Sequence, residues 1–399
     1  MTDRLAILGG IPVRNKTIYY GHQYIDDDDI SCVEEVLKGD YITCGPYVKQ
    51  MERMLEQYLG VKHVVAVSNG TAALHLACIV AGISCEDEVI TSPLTFVASA
   101  NCVLYCGGKP VFADINPYTY CIDSKSIRNK ITSKTKAIIA VDYTGQTVEI
   151  DEIRKICDEH GLIFIEDAAH SFATEYKGKK VGTLADMTCF SFHPVKTITS
   201  GEGGAIATND DMLYSKLLLA HEHGITHDSL YYNEKNKDEQ WYYEQVMLGY
   251  NYRMTDIQAA LLMSQLGKIN MFKNRRKQIS KIYDSAFKDI PEIILQKETK
   301  GSDTCRHLYT IRLNSKMQSC TRKEFYDAMR KENIQCQIHY IPVYWFEYYK
   351  NLGYRKGECP NAEMIYENIL SIPLYPAMTD EDVKDVICAI KKVVNYYKR

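Results

Sequence analysis

The chain has 399 residues, 46% of them hydrophobic and 25% charged, which is enough to bury a large core and to form more than one domain. Its formal net charge of −4, with basic residues scattered, argues against a nucleic-acid partner, and its apolar runs are too short to cross a membrane. The 14 cysteines show no CxxC pair or metal-type spacing, and no signal-peptide pattern opens the chain, so we predict reduced thiols, no metal and a cytoplasmic location.

Residues 61–209 alternate short apolar runs with helical patterns. Predicted helices cover 71–82, 95–107 and 150–161, and predicted strands cover 63–68, 88–92, 109–115, 136–143, 162–167, 187–192 and 204–209. This alternation predicts a mostly parallel sheet covered by helices. The strands are almost continuously apolar, as expected when both faces of a sheet are buried.

The pattern changes after residue 225. The Tyr-rich segment 225–247 has no clear period and predicts a long surface loop. Further helices are predicted at 255–266 and onward past residue 276, and at 321–333 and 379–394, with strands at 307–313 and 334–340. We therefore predict a large domain over residues 1–270 and a smaller C-terminal α/β domain over residues 271–399.

Two ionisable residues follow predicted strands. Lys196 lies in FSFHPVKTITSGEGG among apolar neighbours, where burial would lower the pKa of its amine and make it a nucleophile suited to Schiff-base chemistry. Asp167 ends the strand IFIED, 29 residues earlier, and a buried aspartate can keep a pyridinium nitrogen protonated. The alternatives are a lysine that extends to solvent and an aspartate that caps a helix.

A candidate phosphate site lies in VSNGTAALHLA. Gly70 allows close backbone approach at a helix N-terminus, and Thr71 adds a hydroxyl. Ser191 is a possible further donor, and Phe96 follows another strand end where its ring could stack on a ligand. A routine helix cap and a core aromatic are the alternatives.

As an ordered set, these motifs resemble the fold-type I pyridoxal-phosphate enzymes, and among them the sugar aminotransferases of the DegT/DnrJ/StrS family. The resemblance spans nearly the whole chain and implies a mostly parallel sheet between helices with a smaller C-terminal α/β domain. The motifs that carry it include YITCGPYVKQMERMLEQYLG, SNGTAALHLA, PLTFVASANCVLYCGGKPVFADI, VDYTGQ, EDAAHS, FSFHPVKTITSGEGGAIATN and LGYNYRMTDIQAALLMSQL.

The resemblance implies a cofactor, pyridoxal 5′-phosphate, and roles for eight residues. Catalysis falls to Lys196, which would bind the cofactor and act as general base, and to Asp167, which would pair with the ring nitrogen. The other implied cofactor contacts are His170 near the phenolic oxygen, Phe96 on the ring face, Gly70, Thr71 and Ser191 on the phosphate, and Asn251 from the second subunit of a homodimer with shared sites. A simple turn is the alternative for Asn251.

Narrower similarity, in FSFHPVKTITSGEGG, HLYTIRL and QIHYIPVY, is to the aminotransferases of pseudaminic acid biosynthesis. It implies transfer of an amino group from glutamate or glutamine to the C4 keto group of a UDP-linked 4-keto-6-deoxy-N-acetylhexosamine. Candidate substrate contacts are Thr43, Tyr143 and Tyr340. The alternatives are another nucleotide-linked 3- or 4-keto sugar, a lyase acting on amino acids, or a regulator that keeps the fold without catalysis.

Overall fold

The computed structural model describes residues 4–232, 236 and 239–398. Its helices are α1 (Asp27–Lys38), α2 (Pro46–Leu59), α3 (Gly70–Val80), α4 (Ala98–Tyr105), α5 (Ser124–Lys130), α6 (Ile150–His160), α7 (Asp211–His221), α8 (Asp256–Gly267), α9 (Ile269–Phe287), α10 (Arg322–Lys331), α11 (Glu347–Asn351), α12 (Pro360–Asn368) and α13 (Asp380–Tyr397).

The strands are named in chain order. They are β1 (His63–Val67), β2 (Glu88–Thr91), β3 (Lys109–Phe112), β4 (Thr135–Val141), β5 (Ile163–Asp167), β6 (Glu175–Tyr176), β7 (Lys179–Lys180), β8 (Met187–Ser191), β9 (Gly204–Thr208), β10 (Ile225–Thr226), β11 (Glu244–Gln245), β12 (Ile293–Leu295), β13 (Ser302–Asp303), β14 (Tyr309–Leu313) and β15 (Ile369–Ile372).

A seven-stranded sheet forms the centre of the molecule, in the order β1-β9-β8-β5-β4-β2-β3. Neighbouring strands from β8 to β3 are parallel, and β9 runs antiparallel to both of its neighbours. The predicted mostly parallel sheet is therefore confirmed. Its parallel strands all end at one edge, where open α/β sheets bind their ligands.

Helices bury both faces of this sheet. On β4, Ile138 and Ala140 pack in a cluster with residues of α5, α6 and α12, whereas Ala137 and Ile139 pack in another with residues of α3, α4 and α7. Successive side chains of a strand point to opposite faces, so a strand covered on both sides must be apolar at every position. This explains the continuous apolar runs in the sequence and confirms the helix-covered sheet.

A third apolar cluster lies towards the C-terminus. It joins residues of the antiparallel sheet β12-β14-β15 to residues of α9, α10 and α13, and Leu5 and Ile18 from the N-terminal segment also belong to it. This cluster therefore contains residues from both ends of the chain. The predicted division into two domains at residue 270 stays a prediction.

Two sequence predictions differ from the structure in detail. Segment 334–340 does not form the predicted strand. Ile334 forms an isolated bridge with Ile18 and Gln337 forms one with Ser371, so consecutive residues do not pair with the same neighbouring segment, as a strand requires. Within the predicted loop at 225–247, the short strands β10 and β11 pair with each other. Part of that loop, residues 233–235 and 237–238, lies outside the described residues.

Within the described part of the chain, no helix combines the length and the apolar character needed to cross a membrane.

A side chain in the first turn of α8 forms hydrogen bonds with the backbone at the start of α2. Asp256 is fully buried, and its carboxylate accepts hydrogen bonds from the backbone N–H groups of Gly45 and Tyr47, each at 2.7 Å. An Asp at this place satisfies donors that the first turn of α2 leaves without intrahelical partners. The same turn therefore fixes the segment that carries Thr43.

We expect Asp256→Ala to lower the free energy of unfolding by about 2–3 kcal/mol, because two buried N–H groups lose a charged acceptor. The matched control is Asp210→Ala, since exposed Asp210 also accepts two N–H groups, at the start of α7. Water can replace that acceptor, so its loss should cost about 1 kcal/mol. Urea unfolding followed by circular dichroism measures both, and equal losses would contradict the burial argument.

Candidate active site

A cavity of about 1040 Å³ opens at the edge where the parallel strands end. Its wall includes Val141, Asp167 and Ser191, which are the last residues of β4, β5 and β8. The structure brings eight of the residues named from the sequence to this wall: Gly70, Thr71, Phe96, Asp167, His170, Ser191, Lys196 and Tyr340. The volume is sufficient for a small ligand and part of a second one.

Asp167 is a buried carboxylate held by two protein donors. The hydroxyl of Ser99 donates to Oδ2 at 2.6 Å, and the N–H of Ala169 donates to Oδ1 at 3.2 Å. Burial raises the pKa of Asp167, whereas these hydrogen bonds and the charge of Lys196 lower it. The two hydrogen bonds therefore fix the direction of this carboxylate at the cavity wall.

Lys196 lies in the turn that follows β8. Backbone hydrogen bonds hold this turn, with Lys196 N–H donating to the carbonyl of His193 at 2.9 Å and Ser200 N–H to that of Phe192 at 3.0 Å. Burial lowers the pKa of the Lys196 amine to about 8, and the carboxylate of Asp167 opposes that shift. About a tenth of the amine is then unprotonated at pH 7, far more than for an ordinary lysine, and the unprotonated form is the one that a nucleophile or base requires.

Three histidines surround the amine. The rings of His170 and His307 lie 4.6 Å apart, and burial lowers the pKa of both well below the ordinary value. Burial also lowers the pKa of His339, to about 3. These imidazoles are neutral at physiological pH, so they offer hydrogen bonds without adding positive charge beside Lys196.

His170 has one ring nitrogen engaged and one free. Its Nε2 lies 3.0 Å from the hydroxyl of Tyr340. Its Nδ1 is buried and has no hydrogen-bond partner among the described residues. An unpaired buried nitrogen is costly, which favours a ligand atom as the missing partner.

The start of α3 forms a narrow cradle. The side chain of Asn69 caps the helix by accepting from Ala72 N–H at 2.8 Å, so the N–H groups of Gly70 and Thr71 remain outside the capping bond. A methyl group at Gly70 would come within 2.9 Å of Ser191 Cβ, which explains why this position carries glycine. The N–H groups of Gly70 and Thr71, together with the hydroxyls of Thr71 and Ser191, suit a phosphate.

Phe96 lies at the mouth of the cavity. Although it is a large apolar side chain, 58% of its surface is exposed, and its ring centroid is 6.3 Å from that of Tyr340. An exposed aromatic ring beside a concave site suits stacking on a planar ligand.

Three residues named from the sequence do not line this cavity. Tyr143 is buried and its hydroxyl donates to the carbonyl of His339, which places it beneath the wall rather than on it. Thr43 and Asn251 are exposed and stand apart from the cavity of their own chain. Their roles stay predictions.

Ser99, His307 and His339 were not predicted from the sequence. His307 and His339 reach the site from the C-terminal part of the chain, far along the sequence from Lys196. Ser99 is four residues after Thr95 in SPLTFVAS, a spacing that places both hydroxyls on one side of a helical turn. This spacing was the signal available for Ser99.

The wall fits pyridoxal phosphate on three separate counts. The cradle at Gly70, Thr71 and Ser191 suits its phosphate, and the carboxylate of Asp167 suits a ring nitrogen that carries a proton. The amine of Lys196, with its lowered pKa, suits an aldehyde. The unpaired Nδ1 of His170 adds a free polar atom to the same cavity wall.

Comparison with known proteins agrees with this chemistry. Residues 23–391 match the DegT/DnrJ/EryC1/StrS aminotransferase family. The spore coat polysaccharide biosynthesis protein SpsC of Bacillus subtilis is 39% identical over 96% of this chain and 98% of its own length. The UDP-4-amino-4,6-dideoxy-N-acetyl-beta-L-altrosamine transaminase of Campylobacter jejuni, serotype O:23/36, is 38% identical over 94% of this chain and 98% of its own length.

Solved structures show the same fold. PseC of Helicobacter pylori, an aminotransferase involved in the biosynthesis of pseudoaminic acid, gives a TM-score of 0.89 at 33% identity and covers 96% of this chain and 100% of its own. The PLP-form of the sugar aminotransferase Spr1654 of Streptococcus pneumoniae gives 0.88 at 30% identity, over 95% of this chain and 99% of its own. Aminotransferases of this family use pyridoxal phosphate. The chain therefore belongs to the DegT/DnrJ/EryC1/StrS aminotransferase family.

Proposed function

We propose that this protein is a transaminase that moves an amino group from glutamate or glutamine to the C4 keto group of a UDP-linked 4-keto-6-deoxy-N-acetylhexosamine. The observation that carries the proposal is the shared cavity wall of the Lys196 amine, the Asp167 carboxylate and the phosphate cradle at the start of α3. The similarity to the C. jejuni transaminase and to PseC supports this sugar.

A second candidate is transfer to another nucleotide-linked 3- or 4-keto sugar. SpsC, a protein of spore coat polysaccharide biosynthesis, is as similar to this chain as the C. jejuni transaminase is. The catalytic residues would be the same in both cases. Only the substrate-facing wall would differ.

Pyridoxal phosphate, when bound, supplies a ring that accepts the electrons released at the donor's carbon. Gly70, Thr71 and Ser191 would hold its phosphate, and Phe96 would lie against its ring. Lys196 would bind its aldehyde group and, when released, hold and move a proton at Nζ. The lowered pKa of this amine suits both tasks, because a protonated lysine can neither attack nor accept.

Asp167 would keep a negative charge beside the ring nitrogen and so keep that nitrogen protonated. Burial of the carboxylate strengthens the interaction because water is excluded from it. The neutral imidazole of His170 would donate or accept at the phenolic oxygen through its unpaired Nδ1. A neutral His170 adds no positive charge that would compete with the ring for Asp167.

We further propose a homodimer in which Asn251 reaches the phosphate held by the partner subunit. Asn251 is exposed and lies outside its own cavity, although its neighbour Tyr252 lines that cavity. Large apolar residues close by in the sequence are exposed, with Trp241 at 71% and Leu248 at 75%. Such a surface suits an interface between subunits.

A chain with 14 cysteines also suits the reducing cytoplasm as the location.

The proposed reaction is tested by incubating purified protein with glutamate, or glutamine, and a panel of UDP- and dTDP-linked 3- and 4-keto sugars, followed by mass spectrometry. We expect the 4-amino product from the UDP-linked N-acetyl sugar. Lys196→Ala should give none, because it removes the only amine proposed to move the proton. Turnover of another sugar alone would favour the second candidate, and release of a fragment without a keto acceptor would indicate a lyase.

The pKa of Lys196 predicts how the apoprotein reacts with acetic anhydride. Below pH 8 the amine is largely protonated and unreactive, so labelling of Lys196 should rise with pH, reach half its maximum near pH 8 and level off roughly one to two pH units higher. The control is Lys323, whose pKa is raised by a hydrogen bond to Asp327, so its labelling should still be rising at pH 10. Peptide mass spectrometry measures both, and parallel curves would contradict the burial of Lys196.

The shared site predicts complementation between two inactive variants. Lys196→Ala and Asn251→Asp subunits should each be nearly inactive alone but recover activity when refolded together. A mixed dimer has one site with both native residues, and random pairing makes about half of the dimers mixed, so about a quarter of wild-type activity is expected. If subunits exchange and the mixture is no more active than its parents, Asn251 does not serve the partner's site.

A further inference from the structure

Two hydroxyl groups lie in a row behind Asp167. The hydroxyl oxygens of Thr95 and Ser99 are 2.8 Å apart, and Ser99 Oγ is 2.6 Å from Oδ2 of Asp167. All three residues are buried. Their polar atoms therefore depend on one another rather than on water.

The chemistry of the groups fixes the direction of the donors. An ionised carboxylate only accepts, so Ser99 must donate to Asp167, and Thr95 must then donate to Ser99. The carbonyl of Phe96, 3.4 Å from Ser99 Oγ, is a more distant and uncharged competitor. The bond to the carboxylate is shorter and charge-assisted, so it takes the proton of Ser99.

We propose that Ser99, supported by Thr95, is a positioning residue that keeps Asp167 ionised and directed at the ring nitrogen of the bound cofactor. The inference rests on the role proposed for Asp167. Without the hydroxyl of Ser99, Oδ2 of Asp167 would lose the hydrogen bond that Ser99 donates to it. The charged carboxylate would then be less stable, so the proton that it shares with the ring nitrogen would move towards the carboxylate. The ring would then withdraw electrons less strongly.

The turn that leads into α4 carries both Phe96, proposed to lie against the cofactor ring, and Ser99, which donates to Asp167. Phe96 lies between Thr95 and Ser99 in the sequence, and Ser99 N–H lies 3.3 Å from the carbonyl of Phe96. The residue proposed to cover the ring and the residue that orients its acid are thus held by one turn that leads into α4. A shift of this turn would alter stacking and charge together.

The test uses holoenzyme reconstituted with pyridoxal phosphate that carries 15N in its ring. Nitrogen NMR reports directly whether the ring nitrogen is protonated, independently of turnover. We expect Ser99→Ala to move the 15N signal towards that of a neutral pyridine and to lower kcat by about tenfold, as expected for loss of a hydrogen bond to a charged group. Ser99→Thr should restore both because it keeps the hydroxyl.

The matched control is Thr188→Val. Thr188 is also buried and donates its hydroxyl to a buried carboxylate, that of Glu166, at 2.9 Å, on the residue next to Asp167. Glu166 and Asp167 point to opposite faces of the sheet, so Thr188→Val should lower Tm while the 15N signal stays in place. Ser99→Cys, which leaves no cavity but donates weakly, repeats the test should Ser99→Ala fold poorly.

A wild-type 15N signal in both Ser99→Ala and Ser99→Cys would overturn the inference. An equal displacement in Thr188→Val would also overturn it, because the effect would then reflect general loosening. Asp167→Asn separates this inference from the proposed function. If Asp167→Asn displaces the signal and the Ser99 variants do not, only the Ser99 inference fails; if Asp167→Asn leaves it unchanged, the proposed role of Asp167 fails with it.

Discussion

The candidate active site depends on two groups of opposite charge at the end of one sheet, the buried carboxylate of Asp167 and the partly buried amine of Lys196. Burial raises the pKa of Asp167 and lowers that of Lys196, and each partly offsets the cost of the other. A carboxylate alone in this place would tend to take up a proton, and an amine alone would tend to lose one. Hydrogen bonds to Asp167 from Ser99 and Ala169 also favour its charged form and so oppose the effect of burial on its pKa.

The parallel sheet is what makes this pair possible. Strands β5 and β8 are neighbours, with Asp167 opposite Cys189, so the acid at one strand end and the turn after the other are brought to the same edge. The three neutral histidines complete the arrangement, because charged imidazoles beside Lys196 would lower the pKa of its amine further and compete for Asp167. The C-terminal part of the chain contributes His307 and His339, so the site depends on that part of the chain as well as on the sheet.

The elements of the sheet could be predicted from the sequence because their signals are local. The apolar runs that became β4 and β5 carry their own evidence of burial on both faces, and Asp167 and Lys196 follow strand ends. Segment 334–340 shows the limit of this reasoning: its residues suit a strand, but Ile334 and Gln337 find different partners that are distant in the sequence. Tyr143 shows another limit, since the motif VDYTGQ places it near the site but only packing decides that its hydroxyl faces the carbonyl of His339.

Selection of the sugar would depend on the open side of the cavity, where aromatic rings form much of the wall. The cofactor side of the cavity is defined by groups of fixed direction, such as the start of α3 and the carboxylate of Asp167. The open side carries Phe96 and Tyr105, both more than half exposed, together with Tyr252. Such rings contact a sugar or a base through their apolar faces and not through directional hydrogen bonds. Small shifts of their backbone therefore change which ligand fits. Two proteins with the same catalytic groups could therefore act on different sugars, and the chemistry is encoded more plainly in the sequence than the substrate is.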